Sequence, residues 1–392
     1  MTIGILGTRG IPNYYGGFEQ FAEYLSVALV RRGYEVYVYN SSLHPYQGSE
    51  WNGVNIIHCK DYEDRYNTAG QFIYDLNCIK DANKRKFDII LLLGYTSSSV
   101  WGKMLDKKKT IVIQNMDGLE WKRLKYSFLV RFFLKHAERW AVKHADYLIA
   151  DSIGIQKHIR ERFNRHAIYI PYGAIPFSKP DVNALKSFGL LPNSYNLLIA
   201  RMEPENSIDV ILEGMVKSKA QTQFLVIGRT DNKYGQYIYN KYAHDKRVRF
   251  LGGIFNYQLL NTIRFYARLY FHGHTVGGTN PSLLEAMACQ SMIAAHRNIF
   301  NSSILDDDAF YFDNAEEVAS LLDSDFVGTE YEKSCTENNL QKIREIYSWE
   351  IINNKYDHLF SSLTSAVVKS PGATRKAEGR HAEPGMLKRQ FT

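Results

Sequence analysis

The chain has 392 residues, 45% of them hydrophobic, and a formal net charge of +7. This length exceeds one typical hydrophobic core and favours two domains of ordinary globular composition. No run approaches the roughly 18–20 apolar residues of a membrane span, and the N-terminus lacks a signal-peptide pattern. The four cysteines form no C-x-x-C pair, which argues against a disulfide framework or a zinc site and favours a cytoplasmic protein. The positive charge permits an anionic partner, namely a phosphorylated substrate, a membrane surface or nucleic acid.

Short apolar runs alternate with amphipathic stretches through the first half of the chain. Near-continuous apolar strands between helices predict a parallel sheet that is covered on both faces. The predicted strands are residues 2–6, 35–39, 54–58, 88–93, 110–113 and 146–150. The predicted helices are residues 18–32, 69–85, 121–143 and 152–163.

A proline- and glycine-rich segment, residues 170–180, predicts a linker to a second αβ unit. The strands predicted there are residues 196–200, 223–228, 247–251, 267–272, 292–295 and 309–312. The helices are residues 207–217, 258–263, 281–289, 315–322, 331–347 and 348–363. We predict domains at 1–172 and 173–347, and a disordered tail at 369–392. Two such αβα units place the default ligand site in the cleft between them, at the carboxyl ends of the strands.

The first strand leads into a long glycine loop that ends near Gly16, Gly17 and Glu19. Its G-x-x-G-x-x-G spacing differs from the dinucleotide fingerprint, and the second strand ends without an acidic residue, so NAD binding is disfavoured. The loop suits close approach of a ligand to backbone amides, although tight turns alone would also require glycine. Glu19 is either a functional carboxylate or a partner of the helix dipole.

The segment after the fifth predicted strand carries Asp117 and Glu120. These are candidate cleft carboxylates that could orient a substrate hydroxyl or take its proton, while Asp117 could instead cap the next helix. That helix, 121–143, interleaves basic and aromatic residues. It could lie on an anionic membrane surface, or its aromatic residues could fill the core.

In the second unit, Arg201 follows the first strand and could bind a diphosphate with two parallel hydrogen bonds, or form a surface ion pair with Glu203 or Glu205. The most informative stretch is residues 272–288, where a glycine-rich loop leads into a helix that begins at Pro281. Free amides and the helix N-terminus favour a phosphate group there. Glu285 shares a helix face with Ser282 and could accept hydrogen bonds from ribose hydroxyls. The alternative is an ordinary loop–helix junction with a solvent-facing glutamate.

Metal and hydrolase motifs are not supported. His272 and His274 lie two residues apart without a second pair of ligands, so we expect hydrogen bonding toward the cleft and not a zinc site. The run of three aspartates at 306–308 is expected to be a solvated turn. There is no G-x-S-x-G elbow.

Together these motifs resemble glycosyltransferase family 4, the retaining enzymes of the two-domain GT-B architecture. The resemblance covers about residues 1–365 and is strongest at 199–206 and 273–288, with Ser348-Trp349-Glu350 near the end. The segments 7–19, 115–121 and 276–285 look like a bacterial branch that includes rhamnosyltransferases of cell-surface polysaccharide biosynthesis. In this fold the final helix, 348–365, returns to the N-terminal domain.

Two departures from the family pattern stand out. The family usually has two glutamates, of which Glu285 matches the second, while Gly277 occupies the first position. The family's diphosphate-binding arginine matches Arg201, but Asn206 stands where lysine is expected. Backbone amides at 277–280 would therefore have to neutralise more of the leaving diphosphate, with help from Arg229 or Lys233.

The resemblance implies transfer of a sugar, with retention and without a metal or other cofactor, from a nucleotide-diphosphate donor to a glycan, with dTDP-rhamnose as one donor. The N-terminal domain would bind the acceptor and the C-terminal domain the donor. The implied catalytic residues are Asp117, Glu120 and Arg201. The implied substrate-binding residues are Gly16, Gly17, Glu19, Arg229, Lys233, His272, His274, Gly277, Gly278, Thr279, Asn280, Ser282 and Glu285. The expected partners are a nucleotide sugar, a lipid-linked glycan acceptor and, through 121–143, the inner face of the plasma membrane.

Two other classes of function remain open. A nucleotide-sugar epimerase on the same scaffold would use similar donor contacts but would need no acceptor site. A non-catalytic sugar- or lipid-binding protein would fit the missing glutamate and lysine. Nucleic-acid binding is not expected, because the sequence has no recognised module or concentrated basic stripe.

Overall fold

The structure is a computed structural model that describes residues 1–108 and 110–369, with side chains described through Leu363. Its strands are β1 Thr2–Leu6, β2 Glu35–Ser41, β3 Glu50–Trp51, β4 Val54–Cys59, β5 Ile89–Leu93, β6 Ile111–Met116, β7 Tyr147–Ala150, β8 Ile168–Tyr169, β9 Tyr195–Ile199, β10 Gln223–Ile227, β11 Val248–Gly252, β12 Leu269–His272, β13 Ile293–His296 and β14 Phe310–Phe312. Its α-helices are α1 Gly17–Arg31, α2 Glu63–Tyr66, α3 Thr68–Arg85, α4 Phe128–His144, α5 Ile153–Phe163, α6 Ile208–Lys217, α7 Lys233–Tyr242, α8 Tyr257–Phe265, α9 Pro281–Ala288, α10 Ile299–Leu305, α11 Ala315–Asp323, α12 Glu330–Glu345 and α13 Trp349–Lys369. The predicted disordered tail lies, from residue 370 onward, outside the described residues.

The strands form two sheets. The first has the order β3-β4-β2-β1-β5-β6-β7-β8, and the second has the order β11-β10-β9-β12-β13-β14. All neighbouring strands pair in parallel except β3 and β4. The carboxyl ends of parallel strands meet at one edge of a sheet, so the loops that follow them form one surface per lobe. The predicted α/β architecture with two Rossmann-like units is confirmed.

Apolar strand sequences explain the burial of both sheets. All five residues of β5 are buried, and the core of the second lobe likewise centres on β9, β10 and β12. Such strands are typical of parallel sheets with helices on both faces. None of the helices in the described part of the chain is long and apolar enough to span a bilayer.

One predicted helix starts later than expected, and three helices, α2, α7 and α10, have no counterpart among the predicted ones. The predicted helix 121–143 begins only at Phe128, because Ser127 caps it by accepting a hydrogen bond from the Val130 amide. The preceding residues Glu120–Lys122 form a short 3-10 turn. Helix α7, Lys233–Tyr242, was not predicted, since its sequence is rich in tyrosine and polar residues and contains Gly235, which lowers helix propensity.

The last helix returns to the first lobe, as predicted. The Tyr34 hydroxyl donates to the Asp357 carboxylate at 2.5 Å, and Arg32 forms an ion pair with the same carboxylate at 3.4 Å. The Trp349 ring stacks on Tyr24 of α1 with centroids 4.6 Å apart. Helix α13 therefore fastens the end of the second lobe to the first. The boundaries 1–172 and 173–347 stay a prediction.

Candidate functional site

The loop between β12 and α9 presents unpaired amides at a helix N-terminus. Asn280 caps α9 by accepting a hydrogen bond from the Ser282 amide at 2.9 Å, and Pro281 is the first helical residue. Within the described residues, the amides of Gly277, Gly278 and Asn280 donate to no protein acceptor. A Cβ built on Gly277 would meet no atom within 4 Å, so open space lies beside this loop. Amides that face open space at a helix N-terminus can bind a phosphate group.

Small residues let this loop approach the first lobe closely. The Thr279 hydroxyl donates to the Asp151 carbonyl. A Cβ on Gly278 would lie 1.9 Å from a carboxylate oxygen of Asp151, so only glycine fits there. On the first lobe, a Cβ on Gly118 would lie 3.7 Å from Gly277, and one on Gly17 would lie 3.5 Å from Pro281. The predicted phosphate loop therefore forms one wall of the cleft between the lobes.

Glu285 lies on the same helix face as Ser282, as the sequence predicted. Its Oε2 forms an ion pair with the Arg264 guanidinium at 2.6 Å. The Ser282 hydroxyl also contacts Arg264, at 3.3 Å, and the Tyr270 hydroxyl at 2.8 Å. Ser282 therefore belongs to an internal polar network, whereas Glu285 keeps one oxygen outside it.

Arg201 follows β9 and is exposed at the carboxyl edge of the second sheet. It forms no ion pair with any described residue, because Glu203 and Glu205 turn toward the other lobe. Its carbonyl accepts a hydrogen bond from the Asn206 side chain at 2.7 Å, so the residue at the family's lysine position supports the backbone of Arg201. The alternative of a surface ion pair with Glu203 or Glu205 is therefore not observed.

Two ion pairs bridge the lobes beside Arg201. Arg123 contacts Glu120 of its own lobe at 2.7 Å and Glu205 of the second lobe at 3.5 Å. Lys125 lies 3.6 Å from Glu203. The Glu205 carbonyl also accepts hydrogen bonds from the amide and hydroxyl of Thr275 at 2.9 Å. These contacts connect the first lobe to the loop that leads to α9.

Two carboxyl groups of the first lobe lie near the phosphate loop, since Asp151 packs against Gly278 and Asp117 directly precedes Gly118, which approaches Gly277. Burial and the neighbouring Glu120 raise the pKa of Asp117 to about 7, although Arg123 lowers it. Burial, and to a lesser degree Asp117, raise the pKa of Asp151 well above its usual value, while the Thr279 amide lowers it. Asp117 does not cap the next helix, because Ser127 has that role. Two carboxyls with raised pKa values in one cleft are typical of functional sites.

The Tyr95 hydroxyl fixes the turn that carries these carboxylates. It donates to the Gly118 carbonyl at 2.9 Å and accepts from the Glu120 amide at 3.0 Å. Because both partners lie in the turn after β6, the turn has a defined shape before any ligand binds.

The glycine loop after β1 lies on the same side of the cleft. Glu19 is buried, and its carboxylate accepts hydrogen bonds from the Thr8 hydroxyl at 3.1 Å and the Arg9 amide at 2.9 Å. It therefore holds the loop in place. Gly16 precedes α1 as its N-cap residue, and Gly17, the first residue of α1, faces Pro281.

The two histidines stack with ring centroids 4.4 Å apart. Burial lowers the pKa of His272 to about 3, and burial together with His272 and Arg201 lowers the pKa of His274 well below its usual value. Both rings are therefore neutral at physiological pH. His272 is fully buried, whereas the half-buried His274 lies nearer the cleft.

Arg229 and Lys233 lie farther out on the second lobe. Arg229 is exposed after β10 and forms an ion pair with Asp231, while Lys233 is exposed at the start of α7. They share the sheet edge with Arg201 but form no hydrogen bond or ion pair with the site residues described above. Within residues 1–108 and 110–369, no group of three His, Cys, Asp or Glu side chains is suited to hold a metal ion. Asp306 and Asp308 instead pair with Lys342 at 3.1 and 2.8 Å.

Sequence reasoning missed three residues of this site, Asp151, Arg123 and Arg264. Asp151 directly follows β7, so its place at a strand end was a usable signal. Arg123 was counted only as one basic residue of the aromatic helix. Arg264 lies one residue beyond the predicted end of its helix, and no sequence pattern distinguishes a buried arginine there.

Comparison with known proteins supports the architecture. Residues 1–175 match a family described as "Domain of unknown function (DUF1972)", and no curated protein sequence matches the chain. The fold is similar to sucrose-phosphate synthase from Thermosynechococcus elongatus, with a TM-score of 0.79, 16% identity, and coverage of 93% of this chain and 99% of that one. Anabaena HepE in complex with UDP-glucose gives a TM-score of 0.72, 14% identity, and coverage of 92% and 99%. A glycosyltransferase from Rickettsia africae gives a TM-score of 0.68, 14% identity, and coverage of 93% and 98%. The chain therefore has the GT-B fold.

Proposed function

We propose that this protein transfers a sugar, with retention of anomeric configuration, from a nucleotide-diphosphate donor to a hydroxyl of a glycan acceptor. The observation that carries the proposal is the set of unpaired amides of Gly277, Gly278 and Asn280. Arg201 and Glu285 lie on the same lobe, and Asp117 lies on the other lobe. The GT-B fold supports it, since a structural neighbour, HepE, has been crystallised with UDP-glucose.

The proposed roles follow from charge. Arg201 and the amides of the loop stabilise the negative charge that grows on the leaving diphosphate, which is the strongest single effect in many active sites. Glu285 accepts a hydrogen bond from the nucleoside sugar. Asp117, supported by Glu120, orients the acceptor hydroxyl. These groups act without a metal ion or other cofactor, and domain closure excludes water that would otherwise compete as acceptor.

A deoxy sugar such as rhamnose is the donor sugar that we favour. At Gly277, the family's first glutamate is replaced by a residue with open space beside it. A site without that carboxylate binds one hydroxyl fewer, which suits a 6-deoxy sugar delivered as dTDP-rhamnose. Such transfer belongs to the cytoplasmic assembly of bacterial surface polysaccharide, on a lipid-linked glycan.

The segment 121–143 supports contact with a membrane. Of its seven Lys and Arg residues, Arg123 and Lys125 pair with acidic residues of the second lobe, which leaves five. Its one acidic residue, Glu138, is buried and paired with His158 and Arg162. Phe128 and Leu129 are 79% and 77% exposed. The buried face of α4 fills the core, so its exposed basic and apolar face is free to lie on an anionic surface.

The direct test measures release of nucleoside diphosphate from a panel of nucleotide sugars, with and without a glycan acceptor. Release that requires acceptor supports transfer, whereas donor conversion without acceptor would indicate an epimerase. Arg201→Ala should lower kcat/KM about 10²–10³-fold, the loss typical of removing one group that stabilises an oxyanion. Arg344→Ala, which alters an exposed arginine on α12, is the matched control and should leave turnover unchanged. Normal turnover in Arg201→Ala would refute the site assignment.

Membrane contact is tested separately by flotation with vesicles. Wild type should float with vesicles rich in anionic phosphatidylglycerol and not with phosphatidylcholine alone. Phe128→Ser combined with Leu129→Ser should abolish flotation while turnover of a soluble acceptor persists. Equal flotation of the double variant would remove this part of the proposal.

A further inference from the structure

The guanidinium of Arg264 is buried directly behind Glu285. The Arg264 side chain is only 2% exposed, and that of Glu285 is 18% exposed. Besides its ion pair with Glu285 Oε2 at 2.6 Å, Arg264 donates to the Asn261 side chain at 2.6 Å and to the Ser282 hydroxyl at 3.3 Å. A buried charge is costly unless it is paired and hydrogen-bonded, so this arginine depends on Glu285 and its neighbours.

Arg264 keeps its positive charge. Burial lowers the pKa of Arg264, whereas Glu285, Tyr270 and other neighbours raise it. Together these neighbours outweigh burial, so the pKa is raised above its ordinary value. The Tyr270 hydroxyl holds the Ser282 hydroxyl at 2.8 Å, which fixes the second contact of the guanidinium. Arg264 is therefore a buried cation held by the side chains of Glu285, Asn261 and Ser282.

The two carboxylate oxygens of Glu285 differ. Oε2 is occupied by Arg264, whereas Oε1 has no hydrogen-bond partner among the described residues and is not among the buried unsatisfied atoms. An unsupported glutamate would lose side-chain entropy on binding a ligand, and prior fixation removes that cost.

We infer that Arg264 is a positioning residue, which holds Glu285 so that Oε1 accepts a hydrogen bond from a hydroxyl of the donor's nucleoside sugar. The inference rests on the proposed function and adds to it how the nucleoside is recognised. A buried ion pair that only supports the fold would require the same contacts, so the test must distinguish hydroxyl recognition from stability.

The experiment compares dissociation constants of UDP and dTDP with those of the 2′,3′-dideoxynucleoside diphosphate of the same base. Wild type should prefer the hydroxyl-bearing form of its base by about 10–100-fold, because a hydrogen bond to a charged group contributes about 1.5–3 kcal/mol. Arg264→Met should reduce this preference to less than about threefold. Arg264→Lys, which keeps the charge but loses the planar fork, should have an intermediate ratio and serves if Arg264→Met does not fold.

Arg247→Met is the matched control. Arg247 pairs with Asp245 at 2.7 Å and precedes the edge strand β11, which lies three strands from β12 in the same sheet, so its loss should leave the ratio unchanged. Suppose that wild type prefers the hydroxyl-bearing form, and that the Arg264 variants weaken the binding of this form and of the dideoxy form by the same factor. Arg264 then has only a structural role, and the inference is overturned. If wild type binds no nucleoside diphosphate, the proposed function fails and the inference fails with it.

Discussion

Asp117 and Asp75 are two buried carboxyl groups with similarly raised pKa values, but they lie in different parts of the first lobe. Burial is the largest cause for both, and each pKa is raised to about 7. Asp117 directly precedes Gly118, which packs against Gly277 of the phosphate loop, while Asp75 lies in α3 and accepts a hydrogen bond from Ser97. Because the pKa shifts are similar and the locations differ, replacing each residue in turn separates an effect on catalysis from an effect on stability.

We predict that kcat/KM for the acceptor rises with pH through about 7 in wild type and becomes low and flat in Asp117→Asn. The ionised carboxylate accepts the hydrogen bond of the acceptor hydroxyl, and protonation below about pH 7 removes that acceptor. Asp75→Asn should keep the wild-type pH profile. The measurement is the initial rate at low acceptor concentration from pH 5.5 to 9, and an unchanged profile in Asp117→Asn would contradict the role.

Stability should respond alike in both variants. A carboxyl whose pKa is raised in the folded state binds more protons than in the unfolded chain, so its contribution to stability is lost as pH rises from about 4 to 7. Replacement by asparagine removes that loss, and each variant should gain urea resistance relative to wild type as pH rises through this range.

At the scale of elements, the loop before α9 is the part of the site that the sequence predicts best. Asn280 as the cap and Pro281 as the first residue are local signals, and the helix begins where they place it. The side chains that meet this loop are not local. Asp151 is more than a hundred residues away, and Arg264 contacts Glu285 across two loops and a strand. Hydrophobic periodicity carries no information on such distant pairs. The loop and helix of the site could therefore be predicted from the sequence, whereas the residues that contact them could not.

Gly278→Ala should destabilise the protein by about 1–3 kcal/mol, since its new Cβ would lie within 2.2 Å of the Asp151 carboxyl group. Asp151→Ala removes the atoms that the Cβ would meet, so the double variant should be less destabilised than the sum of the single ones. Urea unfolding followed by tryptophan fluorescence measures the three variants. Strict additivity would mean that the two residues do not meet, and that the loop does not pack on the first lobe.

At the scale of the whole molecule, two further contacts join the lobes besides the packing of the phosphate loop on Asp151. Helix α13 fastens them on one side, through Trp349 and Asp357. Across the cleft, Arg123 and Lys125 reach Glu205 and Glu203. The family resemblance predicted the returning helix. The sequence did not predict the ion pairs of Arg123 and Lys125 with the second lobe, because their acidic partners lie about 80 residues later in the chain.

We predict that Arg123→Gln opens the cleft. Glu205 is 1% exposed, and removal of its cationic partner leaves a buried, unpaired carboxylate, which costs about 3–5 kcal/mol unless water reaches it. Opening supplies that water, so the radius of gyration measured by small-angle X-ray scattering should increase. Lys125→Gln should have little effect, because its pair at 3.6 Å is more exposed. Arg123→Gln with Glu205→Gln should restore the compact form, since the second lobe then has no unpaired charge at this contact, and Glu120, which also loses Arg123, lies on the first lobe in both variants. A compact Arg123→Gln variant with a lowered melting temperature would show that the bridge supports stability without controlling closure.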